Sequence, residues 1–431
     1  MKKNEFINKF FAFLVLYLSF FFFSLYLWLD RFFGVVDIEQ FLFFFLLGFE
    51  GLLDTDEYII NKFIQICIFL PIIIIIFLIF LNFISSKINF SYPKKVFQTI
   101  NKNFLLINIF LLIISLFFIL KQLSFNEFFS KIINKYDFIA ANYIEPKIII
   151  NPDNKRNLVL IYLESFENIF SNKEIFGENL IKDLDIEKHN GKSFTNFKET
   201  AYTNWTIAGI VATQCGLPLK PISILNTRNK GRHERHVFGL KNFLPNAKCL
   251  GDVLKENDYK NIFINGVNLD FVGTGLFFKN HGYKEIYGKK EYQDMSLDFN
   301  PGSWGGAPHD SFLLEFSKKR LLELKKKNEL FNLTILTTDS HSPFGYLDPK
   351  CEVNGKKLND VIKCTSKNIN LFINFLKVEF PDNLDIVIVG DHLFPGNDEL
   401  DVKLKNHTRN IFNMFISKNK FSLKRNFINH Y

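Results

Sequence analysis

Three apolar runs, each long enough to cross a bilayer as a helix, stand in the first third of this chain: Phe10 to Leu29, Phe63 to Ile84 and Phe104 to Leu120. A helix needs about 20 residues to span the hydrocarbon layer, so these runs predict a membrane part rather than the core of a water-soluble domain. The first run is too long, and lacks the small-residue cleavage site, to read as a removed signal peptide. A shorter run, Phe41 to Leu53, is interrupted by Gly48 and Glu50 and reads as an interfacial or re-entrant segment.

Loop charge gives the orientation. Lys2, Lys3 and Lys9 precede the first run, and Lys87, Lys94, Lys95 and Lys102 lie between the second and third, whereas the loop from Asp30 to Asn61 carries Asp37, Glu39, Glu50, Asp54, Asp56 and Glu57. Basic loops stay in the cytoplasm, so everything after residue 123 is expected outside it. The cysteines agree independently. Cys67 lies in an apolar run and reads as a packing residue, which leaves Cys215, Cys249, Cys351 and Cys364, the even number that two disulfides in an oxidising compartment need. None forms a CxxC pair, which argues against a structural zinc cage. The net charge of +8 comes from Lys and Arg interleaved with Asp and Glu, with no basic run of the kind that reads nucleic acid. The 54 Phe, beside abundant Ile, Asn and Lys, are a compositional bias and no sign of aromatic recognition.

These features set the boundaries: residues 1–123 as the membrane region, 124–156 as a juxtamembrane linker with an amphipathic pattern near Phe128 to Tyr136, and 157–431 as an extracytoplasmic domain. In that last part, short β-branched runs at Asn157 to Leu163, Asn261 to Asn265, Leu333 to Thr338 and Asp385 to Val389 alternate with helical stretches at Asp310 to Lys327 and Lys363 to Val378. Such alternation predicts an α/β domain with a mostly parallel sheet flanked by helices. Sites in these sheets gather at the carboxyl ends of the strands. There stand Glu164 after the first strand, Asp339 and His341 after the third, and Asp391 and His392 after the fourth. One acidic residue at a strand end is ordinarily a helix cap; three strand ends converging on one edge predict more.

The stretch from Ala201 to Pro218 reads as a loop entering a helix near Thr206 and ending near Gly216. A hydroxyl at a helix start faces unpaired N–H groups and the positive end of the macrodipole, which favours an alkoxide and an incoming phosphate. The plain alternative is that Thr206 only caps the helix.

Taken in order, Glu164-Ser165, Thr203-Asn-Trp-Thr206-Ile-Ala-Gly209 with Cys215-Gly216-Leu-Pro218, Asp339-Ser-His341-Ser-Pro-Phe344 and Gly390-Asp391-His392 resemble the alkaline-phosphatase/sulfatase superfamily. Within it they are most similar to the branch of lipoteichoic acid synthases and phosphoglycerol transferases. The resemblance runs from about Tyr143 to Phe415 and takes in Cys249-Leu-Gly-Asp252 and His281-Gly-Tyr283. It implies a divalent metal, manganese or magnesium with zinc as the third option, held by Glu164, Thr206, Asp391 and His392, with Thr206 as nucleophile. It further implies that a phosphoglycerol group passes from a phospholipid in the membrane to a glycan acceptor, in a bacterial inner membrane with the catalytic domain facing the periplasm. His341 then stands beside the transferred group as proton shuttle or phosphate donor, and Arg409 and His407 are further phosphate-contact candidates.

Alternatives stay open at this level. Thr203 competes with Thr206 for the nucleophile. Asp270 and Thr274 stand where the family often has a basic residue, so an ethanolamine phosphate donor competes with a glycerol phosphate one. A hydrolase of the sulfatase or phosphodiesterase type lacks its CxPxR-type string here, and a non-catalytic membrane sensor is the remaining reading. Asp310 is expected to cap the helix that begins beside it. Of the connectivities open to four cysteines, Cys215 with Cys249 and Cys351 with Cys364 is preferred, the second because it closes a short loop.

Overall fold

The computed structural model describes residues 2–34, 57–87, 103–126, 143–146, 155–186, 189–219, 242–355, 357–395, 398–419 and 427–429, together with residues 36, 38, 40, 42, 43, 128 and 129. It divides into two compact units, one of residues 1–41 with 56–136 and one of residues 42–55 with 137–431.

The first unit is helical. Helix α1 (Lys2–Phe33) packs along α4 (Phe104–Gln122), and a third apolar column comprises α2 (Glu57–Phe63), a π-helical stretch (Ile64–Phe69) and α3 (Leu70–Lys87). The segments long and apolar enough to cross a membrane are Phe10–Phe33, Glu57–Leu81 and Phe104–Gln122. Phe11, Ile73, Ile76, Phe110 and Phe117 point outward, an apolar surface that water would not tolerate and lipid would. Polar side chains lie between the helices instead. Asn108 Nδ2 donates to Ala12 O (2.8 Å), Ser19 Oγ to Asn108 O (3.2 Å) and Gln122 Nε2 to Gly34 O (2.6 Å). Between apolar helices in lipid, such bonds fix register.

The second unit is an α/β domain. Its main sheet runs β4 (Glu285–Tyr287), β3 (Lys260–Asn265), β5 (Phe331–Leu336), β1 (Asn157–Leu163), β6 (Leu384–Gly390), β7 (Asn413–Ser417). All neighbours are parallel except β6 with β7. A small parallel pair joins β2 (Asn196–Lys198) to β8 (Phe427–Asn429). Strand β1 reads NLVLIYL and β5 reads FNLTIL, nearly continuous apolar runs, because helices cover both faces. On one face lie α8 (Asp310–Lys326) and α9 (Lys357–Glu379), whose Leu313, Leu321, Ile369 and Phe372 join Val159, Ile161 and Ile335. On the other lies α5 (Thr206–Cys215), whose Ile207, Ile210 and Val211 join Tyr162 and Phe263.

Both preferred disulfides form. Cys215–Cys249 ties the end of α5 to the start of α6 (Leu250–Glu256), and Cys351–Cys364 closes the loop before α9. Two expectations fall largely outside the described residues. Most of the linker pattern from Phe128 to Tyr136 lies outside the described residues. Of the segment Phe41 to Leu53, read as interfacial, Leu42 and Phe43 are described, and Phe43 is fully buried within the second unit. Its ring meets Trp205 (5.3 Å, 74°) and Phe243 (5.7 Å, 64°) edge to face, so aromatic burial in a protein core claims a side chain that hydropathy assigned to the interface.

Candidate active site

Register builds the site. Strand β6 pairs with β1 so that Gly390 stands opposite Leu163, and the next residues, Asp391 and Glu164, leave the sheet side by side. A side chain at Gly390 is excluded, since its Cβ would lie 2.2 Å from Phe166 O. Ser165 takes a left-handed conformation (φ 53°), and its N–H donates to Asp391 Oδ1 (2.8 Å). A non-glycine residue in that region is held by its surroundings and is characteristic of built sites.

Helix α5 begins beside this edge. Trp205 is extended (φ −155°, ψ 159°) and Thr206 opens the helix, which stops at Gly216 in the left-handed conformation (φ 64°). Tyr162 OH bonds Thr213 Oγ1 (2.6 Å), locking α5 to β1. Thr206 Oγ1 then lies 3.3 Å from Glu164 Oε2 and 3.4 Å from His392 Nε2, and is partly exposed. Thr203 behaves differently. It is fully buried, donates its hydroxyl to Thr200 O (2.9 Å) and accepts from Thr200 N (3.0 Å), so it closes a turn.

Glu164, Asp391 and His392 bring one ligand atom each within 4.8 Å of one another, all buried. The donor set suits a divalent cation. Asp391, with no exposure, leaves Oδ2 without a hydrogen bond among the described residues, 3.6 Å from His392 Nε2. His392 Nδ1 lies 2.8 Å from Leu393 O, where it donates, so the Nε2 lone pair faces the carboxylates. Without a cation the cluster holds protons instead. Burial pushes the Glu164 carboxyl up, but the charges of His341 and His392 outweigh it and hold it down at about 2. Burial and the Glu164 charge push Asp391 well above the usual carboxylate range. Burial pulls His392 down, yet Asp391 and Glu164 raise it to about 10.

His341 sits on the loop after β5, with Nδ1 2.8 Å from Ser342 O and its ring stacked on Trp304 at 4.5 Å. Ser340 Oγ donates to Glu164 O (2.5 Å), which fixes that loop against the end of β1.

Other expectations are redirected. The Arg409 guanidinium pairs with Glu167, Nε donating at 2.8 Å to Oε2 and Nη2 to Oε1, and Glu167 has no exposure. That buried carboxylate gives Arg409 a structural partner. His407 is exposed and does not join the Glu164–Asp391–His392 cluster. Asp310 does not cap its own helix. Its Oδ1 accepts from Thr338 N (2.7 Å) and Asp339 N (3.3 Å), because the turn after β5 brings those donors closer than the helix does. Thr274 is buried and donates to Phe271 O (3.1 Å), so only Asp270 of that pair is exposed. Sequence reading passes over Glu199, which accepts from Leu393 N (2.9 Å) and whose carboxyl burial pushes up. A lone Glu between a short strand and a loop gives no signal of that contact.

The model of the family described as Sulfatase matches residues 156–415. The chain belongs to the sulfatase family. Glu164, Thr206, His341, Asp391 and His392 all fall inside this sulfatase domain. Phosphoglycerol transferase I of Escherichia coli O127:H6 is 35% identical over 286 residues, covering 63% of this chain and 35% of that protein. Phosphoglycerol transferase I of Shigella boydii serotype 18 gives the same identity and coverage. The sulfatase-family chain thus spans about a third of the length of these curated relatives. Among solved structures, lipoteichoic acid synthase LtaP from Listeria monocytogenes matches at TM-score 0.46 and 19% identity, covering 62% of this chain and 68% of that one.

Proposed function

We propose that this chain is a membrane-anchored phosphoglycerol transferase, with Thr206 as the nucleophile. The observation that carries the reading is the meeting of a partly exposed threonine hydroxyl, at the start of a helix, with the Glu164–Asp391–His392 cluster. The likeness to phosphoglycerol transferase I supplies the group transferred. The donor is a phospholipid, phosphatidylglycerol, and the acceptor a glycan hydroxyl, with the catalytic unit on the periplasmic side of a bacterial inner membrane.

Glu164, Asp391, His392 and the Thr206 hydroxyl would hold a divalent cation, manganese or magnesium, which would lower the pKa of that hydroxyl and neutralise charge on the phosphoryl group. Thr206 Oγ attacks phosphorus, the bond from phosphorus to the diacylglycerol oxygen breaks, and that oxygen takes a proton. The acceptor hydroxyl next attacks the phosphothreonine ester, Thr206 Oγ leaves and is reprotonated. His341, oriented by Ser342 O and Trp304, is the candidate for moving those protons through Nε2. The N–H groups at the start of α5 receive the phosphate oxygens.

Asp270 favours a second reading. It is exposed and precedes Phe271, whose ring meets Trp304 at 4.7 Å, which in turn stacks on His341. A carboxylate on this loop suits a cationic head group, that of phosphatidylethanolamine. Purified full-length protein with a divalent ion, given each lipid with a fluorescent tail, separates the two: release of labelled diacylglycerol from phosphatidylglycerol alone supports the first. Release from neither lipid sinks both.

A further inference from the structure

Beside the β5 edge lies a second buried acidic cluster that the proposed reaction does not use. His309, Asp339 and Asp348 bring ligand atoms within 4.8 Å of one another, and all are buried. His309 Nδ1 is 2.8 Å from Asp339 Oδ1, while Asp339 Oδ2 accepts from Asp310 N (3.0 Å). Asp348 Oδ1 accepts from Lys350 N (2.9 Å), but Asp348 Oδ2 has no hydrogen bond among the described residues, and Asp348 is only 2% exposed. Asp310, 1% exposed, likewise leaves Oδ2 without a hydrogen bond among them.

The charge does not balance. Asp310, Asp339 and Asp348 are three carboxylates out of water, against one imidazole. Buried carboxylates must be paired, protonated or bound to a cation, and a single imidazolium neutralises only one. Orphaned oxygens on a carboxylate-rich, dry cluster that also offers an imidazole nitrogen have the chemistry of a divalent-cation site.

We infer that His309, Asp339 and Asp348 form a second divalent-cation site, separate from the Glu164–Asp391–His392 cluster, that fixes the loop carrying His341. Asp339 and Asp348 bracket that loop, and His309 stands at the start of α8. A cation shared by all three staples both ends of the loop to the helix. The other group of the same kind, Cys249, Asp252 and His281, carries no such inference, because Cys249 is in a disulfide and the Asp252–His281 pair (2.8 Å) is already satisfied.

The inference does not depend on the transferase reading and is tested by counting metal. Full-length protein is stripped with a chelator, loaded with manganese and, in a parallel sample, with zinc, freed of excess by gel filtration and assayed by elemental analysis. Wild type should retain about two equivalents per chain, Asp391→Asn about one, Asp348→Asn about one, and the double variant none, since each site needs its deprotonated ligands. Asp348→Asn removes an unpartnered buried charge, so its melting temperature without metal should equal or exceed that of wild type, while the rise on adding metal should shrink. If Asp348→Asn fails to fold, the count in Asp391→Asn still decides: one retained equivalent supports the site. No retained metal in Asp391→Asn, or an unchanged count in folded Asp348→Asn, overturns it.

Discussion

The ends of β1 and β6 and the end of β5 each carry a buried acidic cluster with a histidine, but among the described residues the first alone meets an accessible hydroxyl. Glu164, Asp391 and His392 face Thr206, which is partly exposed at the start of α5. His309, Asp310, Asp339 and Asp348 close on one another and on the backbone of their own loops. Burial and acidity are therefore shared by both regions and give each a donor set that suits a cation. In the proposed reaction the helix start is what separates the two, since it offers a hydroxyl and unpaired N–H donors together at the first cluster.

The sharpest way to break this contrast is substitution at the two threonines. Thr206→Ala is expected to lower turnover of the phospholipid roughly 10⁴-fold, the scale seen when one member of a catalytic unit is removed. Thr203→Val should instead retain activity and lose about 1 kcal/mol of stability from its turn bonds, read by denaturant melts. The reverse pattern would transfer the nucleophile to Thr203.

Arg409 offers a second contrast, between a structural and a ligand role. Arg409→Met leaves Glu167 buried without its partner, and should cost about 3–5 kcal/mol in the melt. A raised KM with an unchanged melting temperature would return Arg409 to the phosphate. The Cys351–Cys364 link closes a loop of sequence separation 13, so replacing both by Ser should cost about 2–3 kcal/mol of stability, measured under oxidising conditions against oxidised wild type.

The smallest effect per step is in pH. His392 in the metal-free protein is raised from 6.5 to about 10, so the stability it contributes is fully present below 6.5 and lost as pH rises through about 10. Glu164 is lowered from 4.5 to about 2, so its contribution is present above 4.5 and lost as pH falls through about 2. A cation bound through His392 Nε2 would displace the proton there. Its affinity for this cluster should therefore rise about tenfold per pH unit between neutrality and about pH 10 for each proton released, measured by calorimetry in buffers of differing ionisation heat. A flat affinity over that range would contradict the assignment of His392 as a ligand.

Strand ends are the most legible part of the sequence. Continuous apolar runs mark β1, β3, β5 and β6, and the residues just after them include Glu164, Asp391 and His392, because parallel register brings the residues leaving neighbouring strands to one edge. Thr206 is legible as a helix start, and its separation from Thr203 comes only with the turn that buries Thr203. Asp310 reads as a cap because local spacing is blind to the Thr338 and Asp339 N–H groups 28 and 29 residues away. Phe43, Glu199 and the Glu167–Arg409 pair, 242 residues apart, depend on the same kind of long-range packing.

That Thr206 carries the head group is tested most directly by intact-mass analysis of the full-length protein, after incubation with phosphatidylglycerol and a divalent ion, together with peptide mapping. The expected result is a phosphoglycerol adduct on the peptide containing Thr206, absent from Thr206→Ala and present in Thr203→Val. An adduct that persists in Thr206→Ala, or diacylglycerol release with no adduct on the wild-type chain under rapid quench, would contradict it.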